Sequence, residues 1–156
     1  MSTEQKKHSE TILLIHLAEE NFVPQFKRVF EDMGFTILHT EDNSEGYKII
    51  QKQKVDLLVV DLSDDYRGGF RLCYRIKKDP KLKNIMIIAL SDANQAYGIQ
   101  IDARTKEERK WLNVDLLIEK PISAKNIYAL IKKELAILEG IDTTELDAPN
   151  EGHAEE

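Results

Sequence analysis

Five short apolar runs, separated by longer stretches with helical spacing, restrict what this chain can fold into more than any other feature. The runs are Thr11 to Ile15, Phe35 to His39, Val55 to Val60, Ile85 to Leu90 and Val114 to Ile118, each strand-sized and rich in Ile, Val and Leu. Three of them are almost wholly apolar, which is how a strand covered on both faces reads in a parallel sheet. Between the first two, Phe22, Phe26, Val29, Phe30 and Met33 recur at spacings of three and four before a Gly34 stop. Asn43 and Ser44 can cap a second helix with Tyr47, Ile49 and Ile50 inward, and a third begins near Gly69, carries Phe70, Cys73 and Ile76, and ends before Asp79-Pro80. A fourth is predicted over roughly Tyr97 to Leu112. The fifth has Ser123 as N-cap, a stripe of Ile127, Leu130, Ile131, Leu135 and Leu138, and Gly140 as its close. Alternation of this kind predicts right-handed crossovers and a doubly wound, five-stranded parallel α/β sheet of order 2-1-3-4-5 with five helices.

A length of 156 residues supports one core. The expected layout is a folded domain over residues 11–139, with disordered tails over 1–10 and, acidic in character, over 140–156. The formal charge of −6 lies in that second tail, which holds Asp142, Glu145, Asp147, Glu151, Glu155 and Glu156 and no Lys or Arg. The rest of the chain therefore balances, which argues against nucleic acid as a partner. Lys77, Lys78, Lys81 and Lys83 read as a solvated helix end. One cysteine, no recognisable leader and no apolar run near the roughly 20 residues of a membrane span point to a cytoplasmic protein without membrane insertion.

In sheets of this order the functional crevice lies beyond the carboxyl ends of the strands, at the switch point between the first and third. The residues there are His16 and Leu17, then Asp61 to Ser63, then Ser91 and Asp92, then Glu119 to Pro121. Asp61 ends an apolar strand abruptly. Taken singly, Asp61 could cap its loop, Ser91 could be a turn serine and Lys120 a surface lysine ahead of Pro121. Taken together, a carboxylate, a hydroxyl and an ammonium at three neighbouring strand ends could surround a phosphoryl group.

These residues, in this order and spacing, resemble the receiver domains of bacterial and archaeal two-component response regulators. The resemblance runs from Thr11 to about Leu138 and is carried by Thr11-Ile-Leu-Leu-Ile, Val55-Asp-Leu-Leu-Val-Val-Asp61, Gly69-Phe-Arg-Leu-Cys-Tyr-Arg-Ile-Lys-Lys-Asp-Pro, the run Ile85 to Ser91, and Glu119-Lys120-Pro121. It implies a CheY-like, flavodoxin-like fold, with Asp61 as phosphoacceptor, Ser91 as the phosphate-contacting hydroxyl of the switch and Lys120 as the phosphate's salt-bridge partner. The family's two metal-holding acids after the first strand fall on His16 and Leu17, neither a hard oxygen ligand, so no cofactor is expected and bound Mg²⁺ is disfavoured. Glu19 and Glu20 would supply carboxylates to the site only with a shift of the loop, and are assigned to the start of the first helix; Asp64 and Asp65 after Asp61 are a second, equally weak source. Leu117 takes the place of the switch aromatic. The 29 positions from Ser91 to Lys120 exceed the family's length by about two helical turns. Within that region Trp111 and Leu112 are assigned to the core or its rim, Asp102 to Lys110 to a solvated helix face, and the enlarged surface to partner contact.

The reading that follows is a non-enzymatic, stand-alone receiver-like module of a two-component phosphorelay. It acts by contact with a histidine kinase or a downstream target, and Asp61 phosphorylation is weak or absent. A working phosphoaccepting single-domain response regulator is the alternative. A small nucleotide- or flavin-binding protein is a more distant one, because His16-Leu-Ala-Glu-Glu-Asn21 has no glycine to cradle a phosphate. Ser91 has no visible His and acid partners for hydrolysis. Two further expectations are that His16 supplies a counter-charge to Asp61 in place of a metal, and that the last helix supports homodimerisation.

Overall fold

The computed structural model describes residues 9–17, 19 and 21–138, without the side chains of 135–138. The two tails, Glu20, and the Leu135, Leu138 and Gly140 end of the last helix's stripe therefore fall wholly or mostly outside the described residues. The chain divides into two compact units, Met1–Ile122 and Ser123–Glu156.

The first unit holds five parallel strands, β1 (Thr11–Ile15), β2 (Thr36–Thr40), β3 (Leu57–Asp61), β4 (Met86–Ser91) and β5 (Leu116–Glu119), in the order β2-β1-β3-β4-β5. Leu13, Leu58 and Ile87 are aligned across β1, β3 and β4, as are Leu14, Val59 and Ile88 one residue on. Because side chains alternate along a strand, the first of these rows faces one side of the sheet and the second the other. Every residue of β3 and β4 is buried. The row containing Leu13, Leu58 and Ile87 belongs to an apolar cluster with Ile50, Leu72, Cys73 and Ile76.

Helices α1 (Phe22–Glu31), α2 (Asn43–Lys52), α3 (Tyr66–Lys78), α4 (Ala93–Tyr97) and α5 (Lys106–Leu112) fill the intervals of this unit. In α1 the predicted spacing buries Phe26 and Phe30, whose rings stack at 4.0 Å, with Phe35 edge-on to Phe30 at 5.3 Å. Gly34, at φ 102, supplies the left-handed turn into β2. Helix α2 is capped by the Asp42 side chain, which accepts from the Ser44 amide at 3.2 Å, rather than by Asn43 or Ser44. Helix α3 starts three residues earlier than Gly69, because Asp65 accepts from the Gly68 amide at 2.9 Å and opens the helix at Tyr66.

The second unit, described by itself, is the helix α6 (Ala124–Leu138). Its N-terminus is capped by Ser123, whose Oγ accepts from the Asn126 amide at 3.1 Å, and Ala124, Ile127 and Ile131 are its buried residues among those described.

Among the described residues, six helices therefore stand where five are predicted. The stretch Tyr97 to Leu112 is not one helix. Gly98 ends α4 in the left-handed conformation at φ 68, and α5 begins anew with a capping box in which the Thr105 hydroxyl accepts from the Glu108 amide and the Glu108 carboxylate accepts from the Thr105 amide. Trp111 is also not a core residue, being 86% exposed, whereas Leu112 beside it packs against the apolar cluster. One helical step of about 100° separates the two side chains, so the inward Leu112 turns Trp111 outward.

Lys77 is more than a solvated helix end. Its ammonium donates to the Ile85 carbonyl at 2.7 Å and to Asp115 Oδ2 at 2.9 Å, and Asp115 Oδ2 also accepts from the Ile87 amide at 2.7 Å. This staple joins the end of α3 to the starts of β4 and β5. None of the described helices is long and apolar enough to cross a membrane.

Burial pushes the Cys73 thiol up to about 12. Native protein at about pH 8 should therefore resist thiol-specific reagents until it is unfolded, as a thiol assay with and without denaturant would read. Because the folded value lies above the unfolded one, this contribution to stability is complete below the unfolded value and declines as pH rises toward 12. Urea unfolding at about pH 8 and pH 10 should show a loss that is smaller in Cys73→Ala.

Candidate functional site

The strand ladders continue past their ends and so fix the carboxyl edge of the sheet. The His16 amide donates to the Thr40 carbonyl at 2.9 Å, the Leu62 amide to Leu90 at 2.8 Å and the Lys120 amide to Ser91 at 2.7 Å. Asp61 lies opposite Leu90, and Ser91 opposite Glu119. The predicted strand-end positions are thereby set side by side on one edge.

Asp61 is 4% exposed, and both of its oxygens have partners. Oδ1 accepts from the Ser63 amide at 3.0 Å, and Oδ2 accepts from the Lys120 ammonium at 2.9 Å. The same ammonium is ion-paired to Glu19. Burial works against the Lys120 charge, but hydrogen bonds and attraction from Glu19 and Asp61 outweigh it and hold the ammonium above its ordinary value.

Glu19 reaches Lys120 because it is not in the first helix. His16, Leu17 and Asn21 all take positive φ, at 71, 67 and 70, and α1 starts only at Phe22. Left-handed backbone at residues other than glycine costs of order 1 kcal/mol or more each and collects at functional loops. Nothing in the apolar spacing of α1 announces this turn, which is why the sequence assigns Glu19 to the helix. Leu17 is 2% exposed and joins the core. His16 offers its carbonyl to the His39 ring at 2.8 Å, and its Nε2 is buried with no hydrogen-bond partner. The expected His16–Asp61 ion pair is not formed. Lys120 stands there instead.

Ser91 is fully buried, and its hydroxyl sits in a network the sequence does not announce. Tyr66 Oη lies 3.0 Å from Ser91 Oγ, donates to Asp92 Oδ1 at 2.7 Å and accepts from the Asp92 amide at 2.9 Å, while Ser91 Oγ accepts from the Ala93 amide at 3.0 Å. Burial first, and hydrogen bonding and repulsion from Asp92 after it, raise the phenol above its ordinary value despite the opposing Ser91 bond, so Tyr66 is a neutral hydrogen-bonding group here. Extending the Phe70, Cys73, Ile76 stripe one turn back would have found Tyr66. Glu119, at the end of β5, accepts from the Asn94 amide at 2.9 Å and the Gln95 amide at 3.3 Å and so ties β5 to α4.

Of the remaining candidates, Ser63 lends its amide to Asp61 while its Oγ is buried without a partner. Leu117 is partly buried against the apolar cluster, and Pro121 is exposed and follows a cis peptide bond from Lys120. Asp65 is spent on capping α3, and Asp64 is exposed. Among the described residues no group of three or more His, Cys, Asp or Glu side chains could hold a metal ion.

Residues 17–132 match the family model of the response regulator receiver domain. Among curated proteins, the chain is 26% identical over 121 residues to a probable transcriptional regulator ycf27 of Porphyridium aerugineum, covering 77% of this chain and 45% of that protein. It is 30% identical over 99 residues to the heme response regulator HssR of Staphylococcus aureus, covering 62% and 39%. The chain thus spans less than half the length of these relatives. Solved structures agree on the fold. A response regulator from Desulfuromonas acetoxidans superposes with TM-score 0.62 at 24% identity over 83% of this chain and 98% of that one. The signal receiver domain of a signal transduction histidine kinase from Syntrophus aciditrophicus gives 0.64 at 21% over 86% and 96%.

Removing Lys120 would leave the buried Asp61 carboxylate without its counter-charge. Lys120→Ala should cost about 3 kcal/mol in chemical denaturation, and a further Asp61→Asn should recover most of it, because a neutral amide needs no counter-charge. Glu19→Gln should cost about 1 kcal/mol or less, since the Glu19 side chain is 51% exposed.

Proposed function

Since this chain belongs to the response regulator receiver domain family, a family of signalling modules in two-component systems that contact histidine kinases and downstream targets, we propose that it signals by protein contact, with phosphorylation of Asp61 weak or absent. The observation that carries this reading is the state of the Asp61 carboxylate. Both oxygens are engaged, one by Lys120 and one by the Ser63 amide, and the two positions where the family keeps its acids are an imidazole and a buried leucine.

The donor set does not fit Mg²⁺. That ion asks for hard oxygen ligands in near-octahedral geometry. Leu17 offers none, His16 offers nitrogen, and Glu19, the additional carboxylate there among the described residues, is ion-paired with the ammonium that also holds Asp61. Without a metal, charge developing on a transferring phosphoryl group loses stabilisation on the order of several kcal/mol.

The switch hydroxyl supports the same conclusion. Ser91 Oγ is held between the Tyr66 phenol and the Ala93 amide, so turning it toward a phosphoryl group on Asp61 would break bonds already made in a buried setting. At the position of the switch aromatic, Leu117 has no polar tip and packs with the apolar cluster. Nucleic acid, membrane insertion and flavin have no part in this reading.

A second reading, a working phosphoacceptor, is favoured by one observation: Asp61, Glu19 and Lys120 form a charged trio at the sheet edge, in which the ammonium could serve as counter-charge to a phosphoryl group.

Incubation with acetyl phosphate, with and without Mg²⁺ and read by intact mass, separates the two. The expected result is no adduct in either condition for the native chain or for Asp61→Ala. A Mg²⁺-dependent adduct that disappears in Asp61→Ala would establish the second reading. Tyr66→Phe, which removes the phenol hydroxyl from Ser91, should leave the result unchanged if the missing metal ligands are the limiting defect, and should raise the adduct if the held hydroxyl is.

A further inference from the structure

Away from the strand ends, two aromatic rings are left in solvent beside each other. Trp111 on the last turn of α5 is 86% exposed and Tyr74 on α3 is 53% exposed. With Lys78, Glu107, Lys110 and Asn113 they line a groove of about 500 Å³ between α3 and α5. A tryptophan can bury 150–250 Å² of surface, about the largest apolar contribution a side chain makes, and a soluble fold that leaves one this open beside a second aromatic ring marks an interaction surface.

The groove is built rather than incidental. Helix α5 is held at its start by the Thr105–Glu108 capping box and closed at Asn113, which takes the left-handed conformation at φ 61. Leu112 packs inward against the apolar cluster, which fixes Trp111 on the outside. Across the groove, Lys77 staples the end of α3 to β4 and to Asp115, so Tyr74 and Lys78 are carried on an anchored helix.

Its lining carries two cations, Lys78 and Lys110, against one acid, Glu107. Helix α3 contains Arg67, Arg71, Arg75, Lys77 and Lys78 and no acid, although residues outside the acidic tail balance to zero. Arg75 is placed over the Tyr47 ring at 4.0 Å, and Lys77 is committed to the staple. Lys78, with its ammonium 5.6 Å from the centre of the Tyr74 ring, and Lys110 remain at the groove, with Arg71 exposed one turn before Tyr74.

We propose that this groove, walled by Trp111 and Tyr74 and edged by Lys78 and Lys110, docks a partner protein's peptide segment that carries a bulky apolar anchor flanked by carboxylates. The ring faces and the groove's volume suit one large apolar side chain, and the lysines suit acids on either side of it. A nucleic-acid strand fits less well, because Glu107 lines the same groove and a continuous phosphate backbone needs an unbroken basic track. The inference is independent of whether Asp61 accepts a phosphoryl group.

Trp111 is the only tryptophan in the chain, so its fluorescence reads this groove directly. A random peptide display library should be selected on the full chain and counter-selected on Trp111→Ala, an exposed substitution that leaves the core intact. The expected enrichment is for peptides pairing Trp, Phe or Leu with two or more neighbouring Asp or Glu. A synthetic copy should shift Trp111 emission to the blue, and Lys78→Glu with Lys110→Glu should weaken its binding by about tenfold or more. Asp61→Ala should leave binding unchanged. Enrichment of basic or uncharged peptides, or none beyond that on Trp111→Ala, would overturn the proposal. So would a blue shift produced by raising protein concentration alone, which means self-association, or a single-stranded oligonucleotide binding more tightly than the selected peptides.

Discussion

An ionised carboxylate at the end of a buried strand is tolerable only with a partner that follows it out of water. Asp61 has that partner in Lys120, and much of the sheet's carboxyl edge is arranged so that the two meet. The parallel register carries Asp61 to the edge of β3, and the ladder bond from the Lys120 amide to Ser91 brings the lysine to the edge of β5. β4 lies between them and contributes Ser91, so one constraint on one carboxylate gathers residues that are 59 positions apart in sequence. Glu19 is drawn in by the same ammonium, at the expense of a left-handed backbone on either side of it.

The architecture was readable because burial on two faces leaves a nearly continuous apolar run, and β1, β3 and β4 each display one. Strand ends then follow, and with them the residues of the edge, because order 2-1-3-4-5 dictates which ends are neighbours. Helix boundaries were less legible where side-chain caps decide them. Asp65 opens α3 early, and Gly98 with Thr105 divides what periodicity alone presents as one long helix. Trp111 was misplaced for a related reason: hydrophobicity predicts burial, but the partner of Leu112 in an amphipathic turn can point only outward.

The site was legible in its members but not in its pairings. Asp61, Ser91 and Lys120 each follow from a strand end, yet the sequence suggested His16 as the counter-charge, placed Glu19 in the first helix and gave no notice of Tyr66. The Glu19 misplacement concerns a loop, where a backbone turn rather than a repeating pattern decides what a side chain reaches, whereas Tyr66 is passed over because the Asp65 cap opens α3 almost a turn before Gly69. His16 and Leu17 take positive φ, and that local choice removes the imidazole from Asp61 and admits a glutamate three residues later.

Helix α3 has a part in both regions of interest. Its first residue, Tyr66, holds the Ser91 hydroxyl, and its last turns carry Tyr74 and Lys78 at the groove. From Tyr66 to Lys78 the helix rises about 18 Å at 1.5 Å per residue, so it spans most of a small domain as one hydrogen-bonded rod. The rod is anchored at both ends, by Tyr66 on Ser91 and Asp92 at its start and by Lys77 on Ile85 and Asp115 at its close. The Tyr66 phenol is bonded to both the Ser91 side chain and the Asp92 backbone, and that double attachment ties the start of the rod to the end of β4. One helix therefore contributes a hydrogen-bonding group to the sheet edge at its start and a wall to the aromatic groove at its end.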